Sequence, residues 1–200
     1  MKQHVRAIVL IVLGLTLICT SAFLFFAYEQ EAEIAGENAQ QLLGALALEI
    51  EQNRKQELYD TARREQVPGQ MPLTSLQGYD LMGVIRVPGV GVELPVLNSW
   101  NYDLLKLSPC RYSGSIEGQD LILMGHNYKK HFAPLRQVSP GDRVEFLDAS
   151  GSSHAYVVAG TEVLKPTRLD ELTVSESALT IFTCTPGGYG RFVVRCDPIQ

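Results

Sequence analysis

The 200-residue chain contains little cysteine and little charge, and these shortages exclude several classes of protein. Its four cysteines and four histidines show no close-paired spacing of metal ligands, which argues against a zinc site. Charged residues make up 20% of the chain, and the basic ones form no stripe, so nucleic acid is a poor candidate partner. No cluster of carboxylates indicates a calcium site, and nothing calls for a cofactor. Hydrophobic residues make up 46%, which is enough for a packed core.

One long hydrophobic run, residues 7–27, contains neither a charge nor a proline. As a helix it would span about 30 Å, the thickness of a bilayer's hydrocarbon core. Lys2 and Arg6 precede the run, and acidic residues follow it from Glu29 onward. The positive-inside tendency then predicts a cytoplasmic N-terminus, residues 1–6, with the remainder outside the cell. We therefore expect a single-pass protein of the cell membrane with an extracellular domain.

A cleavable signal peptide is the alternative interpretation of this run, with Ala22 as the small residue before the cut. The anchor is favoured because residues 23–27 continue the apolar run beyond the cleavage point that Ala22 would give. Both interpretations export the rest of the chain, so the location of the domain does not depend on the choice.

Two segments follow the predicted anchor. Residues 28–66 are rich in Glu, Gln, Ala and Leu, which favours a helical stalk. Leu42, Leu46 and Ile50 recur every four residues and form an apolar stripe on that helix. The stripe packs on the following domain, or the stalk is a solvated spacer, and the sequence favours neither. Residues 67–78 contain two prolines and two glycines and are predicted to be a linker.

Short runs of aliphatic, β-branched and aromatic residues alternate with turn residues throughout residues 79–200. The predicted strands are residues 81–87, 92–97, 120–124, 143–147, 153–164, 178–183 and 191–196. Residues 102–107 and 132–137 are predicted to be short helices. Seven or eight short strands in a domain of this size predict a mostly β fold, a closed or nearly closed β-barrel.

Two residues suited to catalysis each follow an apolar run at a predicted strand end. Cys184 precedes a Pro-Gly-Gly turn, where a side chain is held rigidly yet is open to a groove. His126 follows a run that ends at Gly125, and histidine is the side chain that exchanges its proton near neutral pH. Of the other histidines, His131 is expected in a polar turn and His154 on a strand. A packed or disulfide-bonded thiol is the commoner role for a single cysteine, so this position alone does not decide the function.

Arg191 begins a strong strand after the glycine-rich reversal that follows Cys184. If the two strands pair, its guanidinium comes close to the Cys184 sulfur, where it would hold a peptide carbonyl or stabilise an oxyanion. Arg195 is separated from Arg191 by an even number of positions, so both side chains point to the same face. Geometry alone does not decide between the two arginines.

Three motifs resemble those of the sortase family, and they occur in the right order. They read Met124-Gly125-His126-Asn127, Leu179-Thr180-Ile181-Phe182-Thr183-Cys184 and Arg191-Phe192-Val193-Val194. Residues 83–88 and 94–96 also look like the first strands of that family. The resemblance covers most of residues 79–196 and implies a sortase-like barrel, with the subclass open between class B-like and class D-like members.

This resemblance implies a cysteine transpeptidase with Cys184 as nucleophile, His126 as proton carrier and Arg191 as electrostatic stabiliser. Sortases of this kind cut a C-terminal sorting signal, often Leu-Pro-x-Thr-Gly, of exported surface proteins or pilins. They then transfer the acyl group, through a thioacyl enzyme, to an amine of cell-wall precursor or of a pilin. Thr183 matches the motif threonine and is expected to shape the substrate groove.

The exported part of the chain contains three cysteines, an odd number, so a full set of disulfides leaves one thiol over. Cys110, in a predicted loop, and Cys196, at the end of the last predicted strand, could form a disulfide, and this bond would leave Cys184 free. Free thiols at both positions are the alternative, and sortases generally work without such a bond.

The sequence does not match two other classes of cysteine enzyme. The chain lacks the Cys-Gly-x-Cys-Trp pattern of papain-like enzymes and the Ser-His-Gly-Cys pattern of L,D-transpeptidases. A non-catalytic, membrane-tethered extracellular β-domain for wall binding or pilus assembly is the rival from a different class. Reaction of Cys184 with an alkylating reagent near neutral pH distinguishes the two, because a packed thiol would react slowly.

Overall fold

The computed structural model describes residues 2–60, 71–174 and 176–199. The chain forms two compact units, Met1–Ile34 and Ala35–Gln200.

The first unit consists of the apolar part of helix α1 (Lys2–Asp60). The large side chains from Leu10 to Phe26 are exposed, and by length and composition this part of the helix is able to cross a membrane. The predicted span and stalk form one unbroken helix as far as Asp60. Residues 61–70, which include the end of the predicted stalk and the start of the predicted linker, lie outside the described residues.

The second unit is built on one sheet of nine described strands. They are β1 (Thr74–Leu76), β2 (Tyr79–Val87), β3 (Val92–Leu97), β4 (Cys110–Ser113), β5 (Leu121–Gly125), β6 (Arg143–Asp148), β7 (Ser153–Leu164), β8 (Leu179–Cys184) and β9 (Arg191–Pro198). The order in the sheet is β1-β2-β3-β4-β5-β8-β9-β7-β6, and β6 also pairs with β2. That pairing closes β2 to β9 into an eight-stranded barrel, which confirms the predicted fold.

All seven predicted strands are present, whereas β1 and β4 were not predicted. These two strands have only three and four residues, too few to show an alternating pattern, and β1 lies inside the predicted linker. Of the two predicted short helices, the first is α2 (Tyr102–Leu107) and the second is a 3₁₀ helix (Ala133–Gln137). Asn101 caps α2 by accepting a hydrogen bond from the Leu104 amide at 2.8 Å.

The two faces of the barrel strands pack into different apolar clusters. On β8, Leu179 and Ile181 belong to the cluster inside the barrel, whereas Phe182 belongs to a second cluster on its outer face. Because side chains alternate along a strand, Cys184 is on the same outer face as Phe182, and Thr183 is on the inner one.

The apolar stripe of α1 packs on the barrel, which decides between the two alternatives for the stalk. Leu46 and Ile50 are 0% and 6% exposed and lie in a cluster with Leu81 and Val84 of β2. Complete burial of one leucine side chain stabilises a fold by about 2 kcal/mol. The part of α1 that belongs to the second unit is therefore held by burial of this stripe.

Cys110 and Cys196 are free thiols, so the disulfide considered from the sequence is not present. Cys110 lies in the cluster with Leu46 and Leu81, between α1 and the barrel, whereas Cys196 lies in the barrel interior. Burial raises the pKa of each thiol to about 12, which keeps both protonated and unreactive near neutral pH.

Candidate active site

Three neighbouring strands end at the same edge of the barrel. Cys184 is the last residue of β8 and pairs with Arg191, the first residue of β9. On the other side of β8 runs the parallel strand β5, whose last residue, Gly125, pairs with Thr183. His126 follows Gly125 directly. The register thus brings together the three residues that the sequence singled out.

A buried hydrogen bond fixes β5 against β8 at this edge. The Thr183 hydroxyl donates to the Gly125 carbonyl at 2.8 Å, and the Thr183 side chain is only 1% exposed. The Thr183 side chain points into the barrel, and the groove-shaping role expected for it stays a prediction. Its observed contact sets the position of the chain immediately before His126.

Gly125 allows an aromatic ring to pack beneath the start of the His126 loop. A Cβ atom at this position would lie 2.6 Å from Cδ2 of Phe132, closer than nonbonded carbons approach. Phe132 is completely buried, and its amide donates to the His126 carbonyl at 3.1 Å. The backbone on both sides of His126 is therefore fixed by contacts that only glycine at position 125 permits.

Cys184 is the accessible thiol of the second unit. Its side chain is half-buried, whereas Cys110 and Cys196 are completely buried. A thiol that is partly open to solvent at a strand end is the only one of the three that a peptide in solution reaches without local unfolding.

A tight turn joins Cys184 to Arg191. The Thr185 amide donates to the Gly190 carbonyl at 3.0 Å, and the Gly190 amide donates to the Thr185 hydroxyl at 2.9 Å. Gly187 and Gly188 have φ angles of +77° and +76°, which disfavour any residue with a side chain. The Pro-Gly-Gly turn of the sequence is thus the element that places Arg191 opposite Cys184.

Arg191 and Arg195 have different surroundings, although they share one face of β9. The Arg191 guanidinium donates through Nη1 to the Gly190 carbonyl at 3.1 Å and to the Gly188 carbonyl at 3.4 Å. Within the described part of the chain, its Nε and Nη2 donate to no other group. A guanidinium at this position is thus able to bind an oxygen of a ligand beside Cys184.

Arg195 pairs with Thr180, four residues and about 13 Å along β8 from Cys184. Its guanidinium donates to Glu162 Oε1 at 2.9 Å, to Thr180 Oγ1 at 3.1 Å and to the carbonyls of Leu172 and Glu171. These bonds join three segments of the domain and occupy all three nitrogens. The structure therefore separates the two arginines that the sequence left equivalent.

Two further residues of the loop after His126 contribute to the site, and no sequence motif singled them out. The Tyr128 ring stacks on the His126 ring, with centroids 4.6 Å apart and an angle of 26° between the planes. His131 was predicted to be in a polar turn, but its side chain is 1% exposed and lies 5.4 Å from the Tyr128 ring. No sequence pattern indicates this, because the surface that buries His131 belongs to α1, almost 100 positions earlier.

The outer face of the barrel beside Cys184 carries the second apolar cluster. Ile122, Leu164, Leu172, Phe182 and Val193 form its buried part. An aromatic row continues from it: Tyr112 contacts Phe182 edge to face at 5.4 Å, and Trp100 stacks on Tyr112 at 5.9 Å. Trp100 is 41% exposed, so the row reaches solvent.

A family model described as "Sortase domain" matches residues 85–199, more than half of the chain. This chain belongs to the sortase family. The matched segment contains His126, Cys184 and Arg191, together with the strands that position them, whereas α1 and β1 lie before it.

Several solved sortase structures resemble this one. Sortase C1 from Streptococcus suis is 25% identical, with a TM-score of 0.53 over 63% of this chain and 76% of that chain. A Clostridium perfringens sortase D5 transpeptidase is 18% identical, with a TM-score of 0.60 over 82% and 99%. Clostridium perfringens sortase C, solved with the C-terminal cell wall sorting motif, is 22% identical, with a TM-score of 0.55 over 80% and 90%. No curated protein sequence matches the chain.

Membership of this family implies transpeptidase activity in general, and it agrees with a candidate membrane anchor at the N-terminus. The similar structures include proteins named sortase A, C and D5, so the shared fold is common to several subclasses. At these identities the likeness establishes the sortase barrel, and the roles of individual residues rest on the geometry of this chain.

Proposed function

We propose that this sortase cleaves a C-terminal sorting signal, of the Leu-Pro-x-Thr-Gly kind, and transfers the new acyl end to an amine. Cys184 acts as nucleophile, His126 as proton carrier and Arg191 as oxyanion stabiliser. The observation that carries the proposal is the strand register at one edge of the barrel. Arg191 pairs with Cys184, and His126 directly follows Gly125, which pairs with Thr183.

Acylation begins when the Cys184 thiolate attacks the carbonyl carbon of the signal's threonine. A carbon–sulfur bond forms, and the carbonyl oxygen becomes an oxyanion. Arg191 stabilises this charge through guanidinium N–H groups beside Cys184. The intermediate collapses by breaking the carbon–nitrogen bond, and the leaving amine takes a proton from the His126 imidazolium. The product is a thioester on Cys184.

Transfer reverses these steps with a new amine. His126, now neutral, accepts a proton from the incoming amine as that amine attacks the thioester carbonyl. Arg191 again stabilises the oxyanion, and Cys184 leaves as thiolate. An amide bond replaces the thioester, and His126 ends as imidazolium, ready for the next cycle. The incoming amine belongs to cell-wall precursor or to a pilin.

The apolar part of α1 fits this reaction. We infer that it anchors the protein in the cell membrane, with the N-terminus in the cytoplasm and the barrel outside, because basic residues precede the span and acidic ones follow it. Exported proteins that carry a sorting signal, and lipid-linked acceptors, are concentrated at the same membrane surface. Tethering the enzyme there raises its effective concentration toward both.

The test is a cleavage assay on the full chain in detergent. A peptide library varied around Leu-Pro-x-Thr-Gly is mixed with a panel of amines, and mass spectrometry identifies both cleaved and transferred products. Cys184→Ala and His126→Ala are expected to abolish both products. Cys110→Ala is the matched control, since it removes a thiol that is buried away from the site.

Undiminished cleavage by Cys184→Ala would refute the assigned nucleophile. The absence of any product with the wild-type chain, combined with slow alkylation of Cys184, would favour the non-catalytic β-domain instead.

A further inference from the structure

The loop that carries His126 packs on helix α1 within the second unit. It leads from β5 to the 3₁₀ helix (Ala133–Gln137) and includes His126, Tyr128, Lys130 and His131. The facing segment of α1, residues 35–39, is buried at Ala35, Gly36 and Ala39.

His131 joins the loop to the backbone of α1. Its Nε2 lies 3.2 Å from the Ala35 carbonyl oxygen. A carbonyl only accepts, so Nε2 carries the proton and donates. The pKa of His131 is lowered to about 4, mainly because the ring is buried. The hydrogen bond to Ala35 raises this pKa, whereas charge on His126 lowers it further. His131 is therefore neutral near pH 7.

Gly36 makes a second contact between α1 and the loop. A Cβ atom at this position would lie 2.6 Å from Cβ and 2.9 Å from Cγ of Lys130. Lys130 Cβ is bonded directly to the backbone and does not move when the side chain changes rotamer, so relief of this contact requires the loop backbone to shift. The absence of a side chain at Gly36 thus lets the loop approach the helix closely.

Tyr128 connects these contacts to the catalytic histidine. Its ring is 4% exposed, stacks on His126 at 4.6 Å and contacts His131 at 5.4 Å. The Tyr128 carbonyl accepts hydrogen bonds from the amides of His131 and Ala133 at 3.0 and 3.2 Å. One residue therefore contacts both the histidine bound to α1 and the histidine that directly follows β5.

We propose that residues 35–39 of α1 form a positioning element for His126, acting through His131 and Tyr128. These residues, which belong to the second unit, thereby set the orientation of the proton carrier. This proposal rests on the function proposed for His126, but the stacking that it invokes is measurable without any activity. Displacing a catalytic group by about 1 Å costs up to about 100-fold in rate.

The first test compares two glycine substitutions on the same helix. Gly36→Ala introduces a Cβ against Lys130, whereas Gly44→Ala, the matched control, adds a Cβ that meets nothing within 4 Å. Both raise helix propensity by about 1 kcal/mol, so they differ only in the contact with the loop. We expect Gly36→Ala to lower kcat/KM about 10- to 100-fold. Gly44→Ala is expected to keep the wild-type value.

The readout that does not need activity is the proton NMR spectrum of the histidine rings in the full chain in detergent. The chain has four histidines, and His126→Gln assigns the resonance of interest. The Tyr128 ring shields the His126 ring protons. Gly36→Ala and Tyr128→Leu should shift the His126 Hε1 resonance downfield, whereas Gly44→Ala and Tyr128→Phe, which keeps the ring, should not.

The second test examines the hydrogen bond to α1 and the pH profile. His131→Gln retains an N–H donor near the Nε2 position, whereas His131→Leu does not. Over the pH range in which the wild type and both variants stay folded, a loss of stability alone scales kcat/KM equally at every pH. Misplacement of His126 also moves the apparent pKa of the pH profile, so we expect this movement in His131→Leu and recovery in His131→Gln.

Two outcomes would overturn the positioning role. One is an unchanged His126 resonance in Gly36→Ala and Tyr128→Leu. The other is a pH profile of His131→Leu that matches that of the wild type, provided that the wild type is active and Cys184→Ala is not. If Cys184→Ala stays active while Gly36→Ala still shifts the resonance, the proposed function fails but the physical coupling stands.

Discussion

Cys184 and Arg191 face each other as the terminal pair of the β8–β9 ladder, joined by a six-residue connection that contains three glycines. In an antiparallel pair the two Cα atoms lie about 5 Å apart, with both side chains on one face. Because Thr185 and Gly190 close the connecting turn by hydrogen bonds, the sulfur and the guanidinium are held by the same local structure.

Arg191→Ala is expected to lower kcat/KM about 100- to 1,000-fold, the usual effect of losing one oxyanion donor. The melting temperature should change little, because among the described residues Arg191 bonds only to two carbonyls of the adjoining turn, of which the Gly188 contact is exposed. Peptide cleavage and thermal unfolding of the same samples check both expectations.

Arg195→Ala is the control for this prediction and should show the opposite pattern. It removes the bonds to Glu162, Thr180 and the carbonyls of Leu172 and Glu171, so we expect a loss of about 2 kcal/mol or more in stability. The protein that remains folded should keep its activity. A larger catalytic defect in Arg195→Ala than in Arg191→Ala would contradict the assignment.

Gly125→Ala should destabilise the barrel by about 1–3 kcal/mol, because the added Cβ overlaps the Phe132 ring. Activity should also fall, since the displaced residues flank His126. Unfolding can be followed by the fluorescence of Trp100, the single tryptophan. Gly160→Ala on β7 is the control, because a Cβ there meets nothing within 4 Å. Equal stability of the two variants would show that the Phe132 contact does not constrain position 125.

His131 makes the stability of the domain depend on pH. Its pKa is about 4 in the folded chain and about 6.5 when unfolded. As pH falls between these values, the unfolded chain binds a proton that the folded chain does not, so folding is progressively disfavoured. The loss approaches about 3 kcal/mol near pH 4 and grows no further below it.

Unfolding of the wild type and of His131→Gln at pH 7 and pH 4.5 measures this contribution. Glutamine does not titrate, so the wild type should lose more stability than the variant over this interval. The same loss in both proteins would mean that His131 is not the group responsible.

The cysteines should differ in how fast they react with an alkylating reagent. In native protein at neutral pH, an alkylating reagent is expected to modify Cys184, while Cys110 and Cys196 stay protected because burial raises their pKa to about 12. After unfolding without reductant, all four cysteines should react. Peptide mapping by mass spectrometry identifies the sites. Two unreactive cysteines in the unfolded, unreduced protein would reveal a disulfide that the structure does not contain.

Much of the fold could be predicted from the sequence, because apolar β-prone runs end at clear turn signals. The strand-end positions of Cys184 and His126 followed from the same pattern. β1 and β4 could not be predicted, since segments of three and four residues carry too little pattern. The closure of the barrel through β2 and β6 also has no local signal, because it joins residues about 60 positions apart.

Some features of the site could not be predicted, because they depend on how the strands pair and on packing between distant parts of the chain. The choice between Arg191 and Arg195 needed the pairing of β8 with β9. The inward direction of Thr183 follows from its position next to Cys184, whose side chain is on the outer face, and alternation would have shown this. The burial of His131 depends on α1, and no pattern near His131 records that contact.

Trapping the acyl enzyme tests the central claim most directly. Full-length protein is incubated with a sorting-signal peptide without an amine acceptor, quenched in acid and analysed by intact mass and peptide mapping. We predict an adduct with the mass of the acyl fragment, attached to Cys184, sensitive to hydroxylamine and absent in Cys184→Ala. An adduct on another residue, or release of cleaved peptide by Cys184→Ala at the wild-type rate, would contradict the account.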